Sequence, residues 1–249
     1  MHLRYLLHAG LAIPQLPFMY LDGKRILGSV PKLPAASGPR GVANLGVGPV
    51  FRLLCIGEST MAGVGVATHA EGFAGTLATS LSQRLMREVN WEVHAKNGAT
   101  ARRLLQSVLP QIEAETADLI VISTAGNDAF KLTTPWSFRR DLEEMVDCLQ
   151  QRYPGTPLAF TNTPPIREFP AFTPLIKRTI GRLVEFHGEQ LQRLAEDRAG
   201  VFFNHEKITL AGWSKKHQVE GRPDDFFSDG VHPSGLTYRV WARDFAAFL

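Results

Sequence analysis

The sequence is poor in cysteine and in clustered charge, and both shortages exclude classes of protein. Two cysteines in 249 residues are too few for a disulfide scaffold. We expect Cys55, in an apolar run, and Cys148, in a helical pattern, to be buried free thiols. The 27 basic and 24 acidic residues form no basic stripe of the kind that binds nucleic acid. The composition is that of an ordinary globular protein with one α/β domain.

The sequence also lacks the patterns of common metal and nucleotide sites. None of the eight histidines belongs to a His-Glu-x-x-His pattern or stands beside a cysteine pair, so we expect no metal site. The glycines between Ser59 and Gly65 are not followed by Lys-Ser or Lys-Thr. That absence excludes a phosphate-binding P-loop.

No hydrophobic run is long and clean enough to span a membrane. The stretch from Leu3 to Leu21 is interrupted by an arginine, a histidine and two prolines, and a spanning helix needs roughly 20 apolar residues. The prolines also argue against a signal peptide. Because Lys24, Arg25 and Lys32 follow, residues 1–32 suit either peripheral contact with an anionic membrane surface or a helix and arm that pack on the domain.

A segment rich in proline, glycine and alanine follows this stretch. We interpret residues 31–48 as a linker. The arm and linker then occupy residues 1–48, and one domain occupies residues 49–249.

From residue 51 onward, short β-rich runs alternate with longer stretches of helical periodicity. We predict strands at 51–56, 91–95, 119–124, 158–161 and 201–204, and helices at 72–89, 101–115, 135–153, 174–198 and 234–249. This alternation is typical of an α/β fold with a parallel sheet covered by helices. Ligands of such sheets bind at the carboxyl ends of the strands.

Polar motifs follow three of the predicted strands at that edge, and a fourth motif lies near the end of the sequence. They are Gly-Glu-Ser-Thr at 57–60, Asn-Gly-Ala-Thr at 97–100, Gly-Asn-Asp at 126–128 and Asp-Gly-Val-His at 229–232. Each has an ordinary structural alternative. Ser59 or Thr60 could cap the next helix, Gly98 could serve a turn, and the Asn-Asp and Asp-Gly pairs could form turns.

Together the motifs supply the groups for nucleophilic acyl transfer. A serine hydroxyl becomes a nucleophile when an imidazole takes its proton and a carboxylate orients that imidazole. Ser59, His232 and Asp229 could fill these roles. Asp224 and Asp225 are rival carboxylates, but Asp229 stands only three residues before the histidine.

The order of these motifs resembles the four sequence blocks of the SGNH (GDSL-type) hydrolase superfamily, and the first fifty residues lie outside the resemblance. The resemblance implies a flavodoxin-like three-layer α/β/α sandwich around a five-stranded parallel sheet. It implies a triad of Ser59, Asp229 and His232. It further implies that the backbone N–H groups of Ser59 and Gly98 and the side-chain amide of Asn127 form the oxyanion hole. Known members hydrolyse carboxylic esters, thioesters, lysophospholipids or acetylated sugars without a cofactor.

The first motif departs from the family pattern. It reads Gly-Glu-Ser-Thr where the family usually has Gly-Asp-Ser-Leu. Glu58 keeps the charge but adds a methylene, so its support of the turn would differ. Met61 occupies the last position of a Gly-x-Ser-x-Gly pattern, which argues against the nucleophile elbow of an α/β-hydrolase.

Aromatic residues in the loops after the third and fourth predicted strands are candidates for a substrate pocket. They are Phe130, Trp136, Phe169 and Phe172. We expect Phe130 and Phe169 to contact substrate, with Phe169 on a loop stiffened by prolines. The alternative is that these rings are core residues beneath long loops.

The sequence therefore predicts a serine esterase that hydrolyses short-chain or single-acyl carboxylic esters through an acyl-enzyme. The alternatives on the same fold are an acyltransferase, a carbohydrate deacetylase, a thioesterase or a lysophospholipase. A non-catalytic module is a further alternative, against which the intact motifs argue. We expect a small ester as the substrate, no cofactor, no metal and no nucleic-acid partner. We also expect a cytoplasmic or membrane-peripheral location rather than secretion.

Overall fold

A six-stranded sheet forms the centre of the protein, as seen in a computed structural model that describes residues 2–44 and 46–249. The strands are β1 Arg40–Asn44, β2 Phe51–Gly57, β3 Glu88–Ala95, β4 Leu119–Ser123, β5 Leu158–Phe160 and β6 Val201–Phe203. The helices are α1 His2–Ala12, α2 Leu16–Ser29, α3 Phe73–Leu85, α4 Ala101–Ser107, α5 Gly126–Phe130, α6 Pro135–Arg152, α7 Pro174–Asp197, α8 Leu210–His217 and α9 Gly235–Phe248. Short 3₁₀ turns lie at Ile13–Gln15, Leu109–Gln111, Ile166–Glu168 and Pro223–Phe226.

The strand order is β1-β3-β2-β4-β5-β6, and every neighbouring pair except β1 and β3 is parallel. The five predicted strands thus form the parallel sheet, and the predicted α/β sandwich is confirmed. Side chains alternate between its two faces, as the strand period requires. Leu53 and Cys55 of β2 pack in one core with α3 and α9. Leu54 and Ile56 pack in the other with α4, α6 and the end of α7.

The sixth strand comes from the segment that we interpreted as a linker. Residues 40–44 pair antiparallel with β3, with Arg40 opposite Glu92 and Asn44 opposite Glu88. Only Val42 and Ala43 of this strand are apolar, so it carries no alternating pattern of its own. It is a strand because β3 offers a free edge with which it can pair.

Two predicted helices end several residues earlier than expected. The helix from residue 72 stops at Leu85, because Met86 adopts a left-handed conformation (φ 53°) and the chain then enters β3. The helix from residue 101 stops at Ser107 and continues into the 3₁₀ turn that contains Pro110. Helices α5 and α8 were not predicted, and α1 and α2 lie where one of the two alternatives placed a helix and arm.

The first two helices pack against α7. Tyr5 stacks edge-on against Phe186 with ring centroids 5.8 Å apart, and the His8 ring nitrogen Nε2 lies 3.1 Å from the backbone oxygen of Thr179. Met19 of α2 is buried in a third core. Residues 2–32 therefore pack on the domain, which is one of the two predicted arrangements. Among the described residues, no helix is long and apolar enough to cross a membrane.

The prediction that both cysteines are buried is wrong for one of them. Cys55 is fully buried in β2, whereas Cys148 is exposed on the outer face of α6. Burial raises the pKa of the Cys55 thiol, which further suppresses the reactive thiolate.

We expect a thiol reagent such as Ellman's reagent to modify one cysteine per native molecule rapidly, and the second only after unfolding in urea. The reason is that only the Cys148 sulfur is open to solvent. Cys148→Ser is the matched control and should remove the rapid phase. A rapid phase that survives in Cys148→Ser would contradict the burial of Cys55.

Candidate active site

Ser59 lies in a series of tight turns that follow β2. The N–H of Ala62 donates to the oxygen of Glu58 (2.9 Å), and the N–H of Val64 donates to the oxygen of Ser59 (3.1 Å). Helix α3 begins only at Phe73, with Gly72 as its N-cap. The alternative that Ser59 or Thr60 caps the next helix is therefore wrong. The Ser59 side chain remains half-buried at the carboxyl edge of the sheet.

Asp229 and His232 form a hydrogen-bonded pair in the loop before α9. Nδ1 of His232 lies 2.7 Å from Oδ2 of Asp229. The other oxygen, Oδ1, accepts the backbone N–H groups of Val231 (3.0 Å) and His232 (2.7 Å). The Asp229 side chain is fully buried, and that of His232 is 19% exposed. The rival Asp225 instead accepts the N–H of Arg222 through Oδ2 (2.7 Å).

This geometry indicates the tautomer of the His232 imidazole. An ionised carboxylate only accepts hydrogen bonds, so Nδ1 of His232 must carry a hydrogen. In the neutral ring Nε2 is then the acceptor, as a general base requires.

The loop that carries this pair is tied to the turn that carries Ser59. The hydroxyl of Ser228 lies 2.9 Å from the oxygen of Gly65 and 3.2 Å from that of Pro233. The Tyr238 hydroxyl donates to the oxygen of Val64 (2.8 Å). Gly65 has φ 109°, and a Cβ there would lie 2.3 Å from the oxygen of Pro233. The two backbones can approach this closely because the residue is glycine.

Glu58 connects the first motif to the third. Its Oε1 accepts the N–H of Gly126 (3.1 Å), and its Oε2 accepts both the N–H (2.9 Å) and the side-chain Nδ2 (2.6 Å) of Asn127. The carboxyl is buried, and burial raises its pKa to about 7 although the three donors act in the opposite direction. Glu58 therefore fixes the rotamer of Asn127. The sequence marks Glu58 only as a departure from the family pattern, and nothing in it predicts these partners.

Asp128 makes the link between the second and third motifs. Its Oδ2 accepts the N–H of Ala101, the first residue of α4, at 2.8 Å. Burial raises the pKa of this carboxyl to about 6. Gly98 itself lies in the turn before α4, exposed and left-handed (φ 75°), and a Cβ there would meet no atom within 4 Å. Among the described residues, no hydrogen bond joins Gly98 directly to the other predicted site residues.

The two predicted pocket residues lie in different surroundings. Phe130, at the end of α5, is 41% exposed and stands edge-on to Phe172 at 5.5 Å. Phe169 is buried, with Phe172 and Phe227 each at 5.3 Å. Phe169 thus lies in a core beneath the loop, and only Phe130 presents its ring to solvent.

The turn of Ser59 and the loop of Asp229 and His232 lie together at this edge of the sheet. In the part of the chain that the structure describes, no three or more His, Cys, Asp or Glu side chains are grouped so as to hold a metal ion. The sequence pattern of the GDSL-like Lipase/Acylhydrolase family matches residues 55–240. The chain belongs to this family, and the resemblance seen in the four motifs is confirmed. No curated protein matches the sequence significantly.

Solved structures share the fold at low sequence identity. The lipase Lip_vut3 from a goat rumen metagenome is 20% identical, with a TM-score of 0.58 over 79% of this chain and 96% of its own. The SGNH-hydrolase family esterase AlinE4 is 22% identical, with a TM-score of 0.55 over 81% and 97%. A variant of Axe2, an acetyl-xylooligosaccharide esterase from Geobacillus, is 17% identical, with a TM-score of 0.60 over 82% and 95%. At these identities the likeness shows the fold.

Replacement of Gly65 by alanine should destabilise the protein more than the same change at a free left-handed glycine. The matched control is Gly155→Ala, since Gly155 has φ 77° and a Cβ there would meet nothing within 4 Å. The control should cost about 1 to 2 kcal/mol for the left-handed backbone. Gly65→Ala should cost at least about 1 kcal/mol more, because the Cβ pushes against Pro233. Urea unfolding measures both, and equal losses would contradict the close approach of the two loops.

Glu58 should make stability depend on pH in a defined direction. Its pKa is raised from 4.5 to about 7 on folding, so its contribution to stability is complete below the lower value and is lost as pH rises through the upper one. The free energy of unfolding of the wild type should therefore fall relative to that of Glu58→Gln, by up to about 3 kcal/mol across this window. Urea unfolding of both proteins at pH 4.5 and 8 tests this. Asp128 is common to both proteins, so parallel pH profiles would refute the assignment to Glu58.

Proposed function

We propose that this protein is a serine esterase that cleaves carboxylic esters through an acyl-enzyme on Ser59. The observation that carries the proposal is the 2.7 Å contact between Asp229 and His232, on a loop bound to the turn that holds Ser59. Family membership supports hydrolysis of this kind.

Each residue of the proposed triad has a separate role in the reaction. Asp229 holds Nδ1–H of His232, so that Nε2 is the basic nitrogen and an imidazolium would be stabilised by the buried carboxylate. His232 takes the proton of Ser59 as the hydroxyl oxygen attacks the ester carbonyl. The negative charge moves to the carbonyl oxygen. When the tetrahedral intermediate collapses, the leaving alcohol takes the proton from His232, and water then hydrolyses the acyl-serine by the same path in reverse.

Three donors would stabilise the oxyanion. Among the described residues, the backbone N–H groups of Ser59 and Gly98 donate to no protein acceptor. The side-chain amide of Asn127 has two hydrogens, of which Glu58 accepts one. The second hydrogen is thus available for substrate, with its direction set by Glu58. Donors fixed in advance stabilise developing charge better than water does.

The proposed substrate is an ester of one acyl chain. Phe130 would form part of the wall for the acyl chain, because its ring is exposed at the end of α5. Related structures include a lipase and an acetyl-xylooligosaccharide esterase, so the fold is compatible with more than one acyl length. A series of p-nitrophenyl esters of graded chain length distinguishes these substrates, and the corresponding thioesters and acetylated sugars test the alternative activities.

Substitutions at the proposed triad should abolish hydrolysis of a short p-nitrophenyl ester. Ser59→Ala removes the nucleophile and should lower kcat/KM by about 1,000-fold or more. Asp229→Asn places an amide against Nδ1, favours the wrong imidazole tautomer, and should cost about 100-fold to 10,000-fold. Asp225→Asn is the matched control, because the Asp225 side chain is hydrogen-bonded only within its own turn, and its activity should stay within about 3-fold of the wild type.

A fluorophosphonate probe provides an independent measurement. It should label the wild type and leave Ser59→Ala unlabelled. Equal hydrolysis by wild type and Ser59→Ala would refute Ser59 as the nucleophile. Loss of activity in Asp225→Asn with retention in Asp229→Asn would move the carboxylate role to Asp225.

A further inference from the structure

The helices α1 and α2 present an apolar surface to solvent. Among the described residues of this arm, nine large apolar side chains are at least 55% exposed. They are Leu3, Leu6, Leu7, Leu11, Ile13, Phe18, Tyr20, Leu21 and Leu27, and we call them the arm face. In α1 the members recur at spacings of three, one and four residues, so they lie along one side of the helix. Exposed apolar patches of this density mark interaction sites.

The other side of the arm is already in contact with the domain. The ring of Tyr5 meets Trp136 at 5.0 Å and Phe186 at 5.8 Å, and the guanidinium of Arg4 lies 3.2 Å from Glu189 of α7. Met19 is buried in the core beneath α2. Because these contacts hold the arm in a defined orientation, the arm face is left as its outer surface.

The arm also carries all of the protein's excess positive charge. Of the 27 basic and 24 acidic residues, four basic residues and one acidic residue lie between positions 1 and 32, which leaves 23 of each elsewhere. The basic residues are Arg4, Lys24, Arg25 and Lys32. The one acidic residue, Asp22, accepts a hydrogen bond from the hydroxyl of Thr173 (2.8 Å). An exposed apolar face with basic residues beside it matches the interface of an anionic bilayer, where both parts contribute to binding.

From this match we propose that the arm face binds the surface of an anionic lipid bilayer, with α1 and α2 lying in the plane of the interface. These helices have 11 and 14 residues, so each is about 16 to 21 Å long and shorter than the roughly 30 Å hydrocarbon layer. A second copy of the chain is a poorer occupant. It would bring two arms of equal positive charge together.

The bilayer would meet the protein beside the candidate active site. Asp22 of α2 bonds Thr173 at the start of α7. Two residues earlier, the N–H of Ala171 donates to the oxygen of Gly230 (3.1 Å), within the loop of Asp229 and His232. The site would therefore receive esters from the membrane surface. That consequence rests on the proposed function, whereas binding to the bilayer does not.

Co-sedimentation with vesicles tests the binding. The full-length protein should sediment with vesicles of one part phosphatidylglycerol to two parts phosphatidylcholine. Binding should fall in high salt and be weak on phosphatidylcholine alone. Lys24→Glu with Arg25→Glu should lower the partition coefficient by about 10-fold or more. Leu6→Ser with Leu7→Ser should lower it by a similar factor of about 10.

Each double variant has a matched control on another surface. Arg239→Glu with Arg243→Glu makes the same charge change on exposed positions of α9, and Val47→Ser with Met86→Ser removes two other exposed apolar side chains. Both controls should bind like the wild type, apart from the small effect of net charge. Ser59→Ala should also bind like the wild type, so the result does not depend on catalysis. Circular dichroism confirms that each variant is folded.

Three results would overturn the proposal. One is wild-type protein that stays in the supernatant with anionic vesicles. Another is binding that the arm variants and their controls lose equally. The third is a wild-type dimer in sedimentation velocity that becomes a monomer in Leu6→Ser with Leu7→Ser, because the arm face would then be covered by a second copy.

Discussion

The buried carboxylate of Glu58 is the contact on which the geometry of the candidate active site depends. It joins the turn after β2 to the first residues of α5 through three hydrogen bonds. Burial disfavours its charge, while those donors and the amino end of α5 favour it. Burial is the larger effect, since the pKa rises to about 7. Near neutral pH the carboxyl is therefore divided between its neutral and ionised forms, and the oriented N–H groups of Gly126 and Asn127 favour the ionised form.

The sheet determines which loops can meet at this edge. β2 lies between β3 and β4, so the three loops that follow these strands are neighbours whatever their sequence separation. The last loop is not attached to a strand of the sheet and is positioned by packing. Trp241 of α9 stacks on Phe73 of α3 with centroids 4.5 Å apart, and Tyr238 bonds Val64. The proposed base and nucleophile thus depend on a helix-to-helix contact on one face of the sheet.

The difference between loops positioned by the sheet and a loop positioned by packing explains what could be predicted from the sequence. Buried parallel strands are mostly continuous apolar runs, so β2, β4, β5 and β6 could be predicted, and β3 could be predicted from its alternation of apolar and polar residues. By contrast, β1 has only two apolar residues and depends on a partner strand. The pair of Asp229 and His232 was predictable because three residues separate them within one loop. The contact of Glu58 with Asn127 spans 69 positions and follows from strand order. Helical periodicity predicted the helix that contains Cys148 but did not predict that this side chain faces solvent.

The arm has a different relation to the fold from that of the other helices. Its only buried side chain among the described residues is Met19, so it contributes little to the core, and its apolar side chains mostly face water. Such exposure costs free energy in an isolated monomer. This free-energy cost would be offset if another surface covered the arm face. Because the net positive charge lies in the same 32 residues, an anionic surface is the best match. Because α2 is bonded to Thr173 and the next loop to Gly230, any surface that covers the arm also fixes the orientation of the proposed triad relative to it.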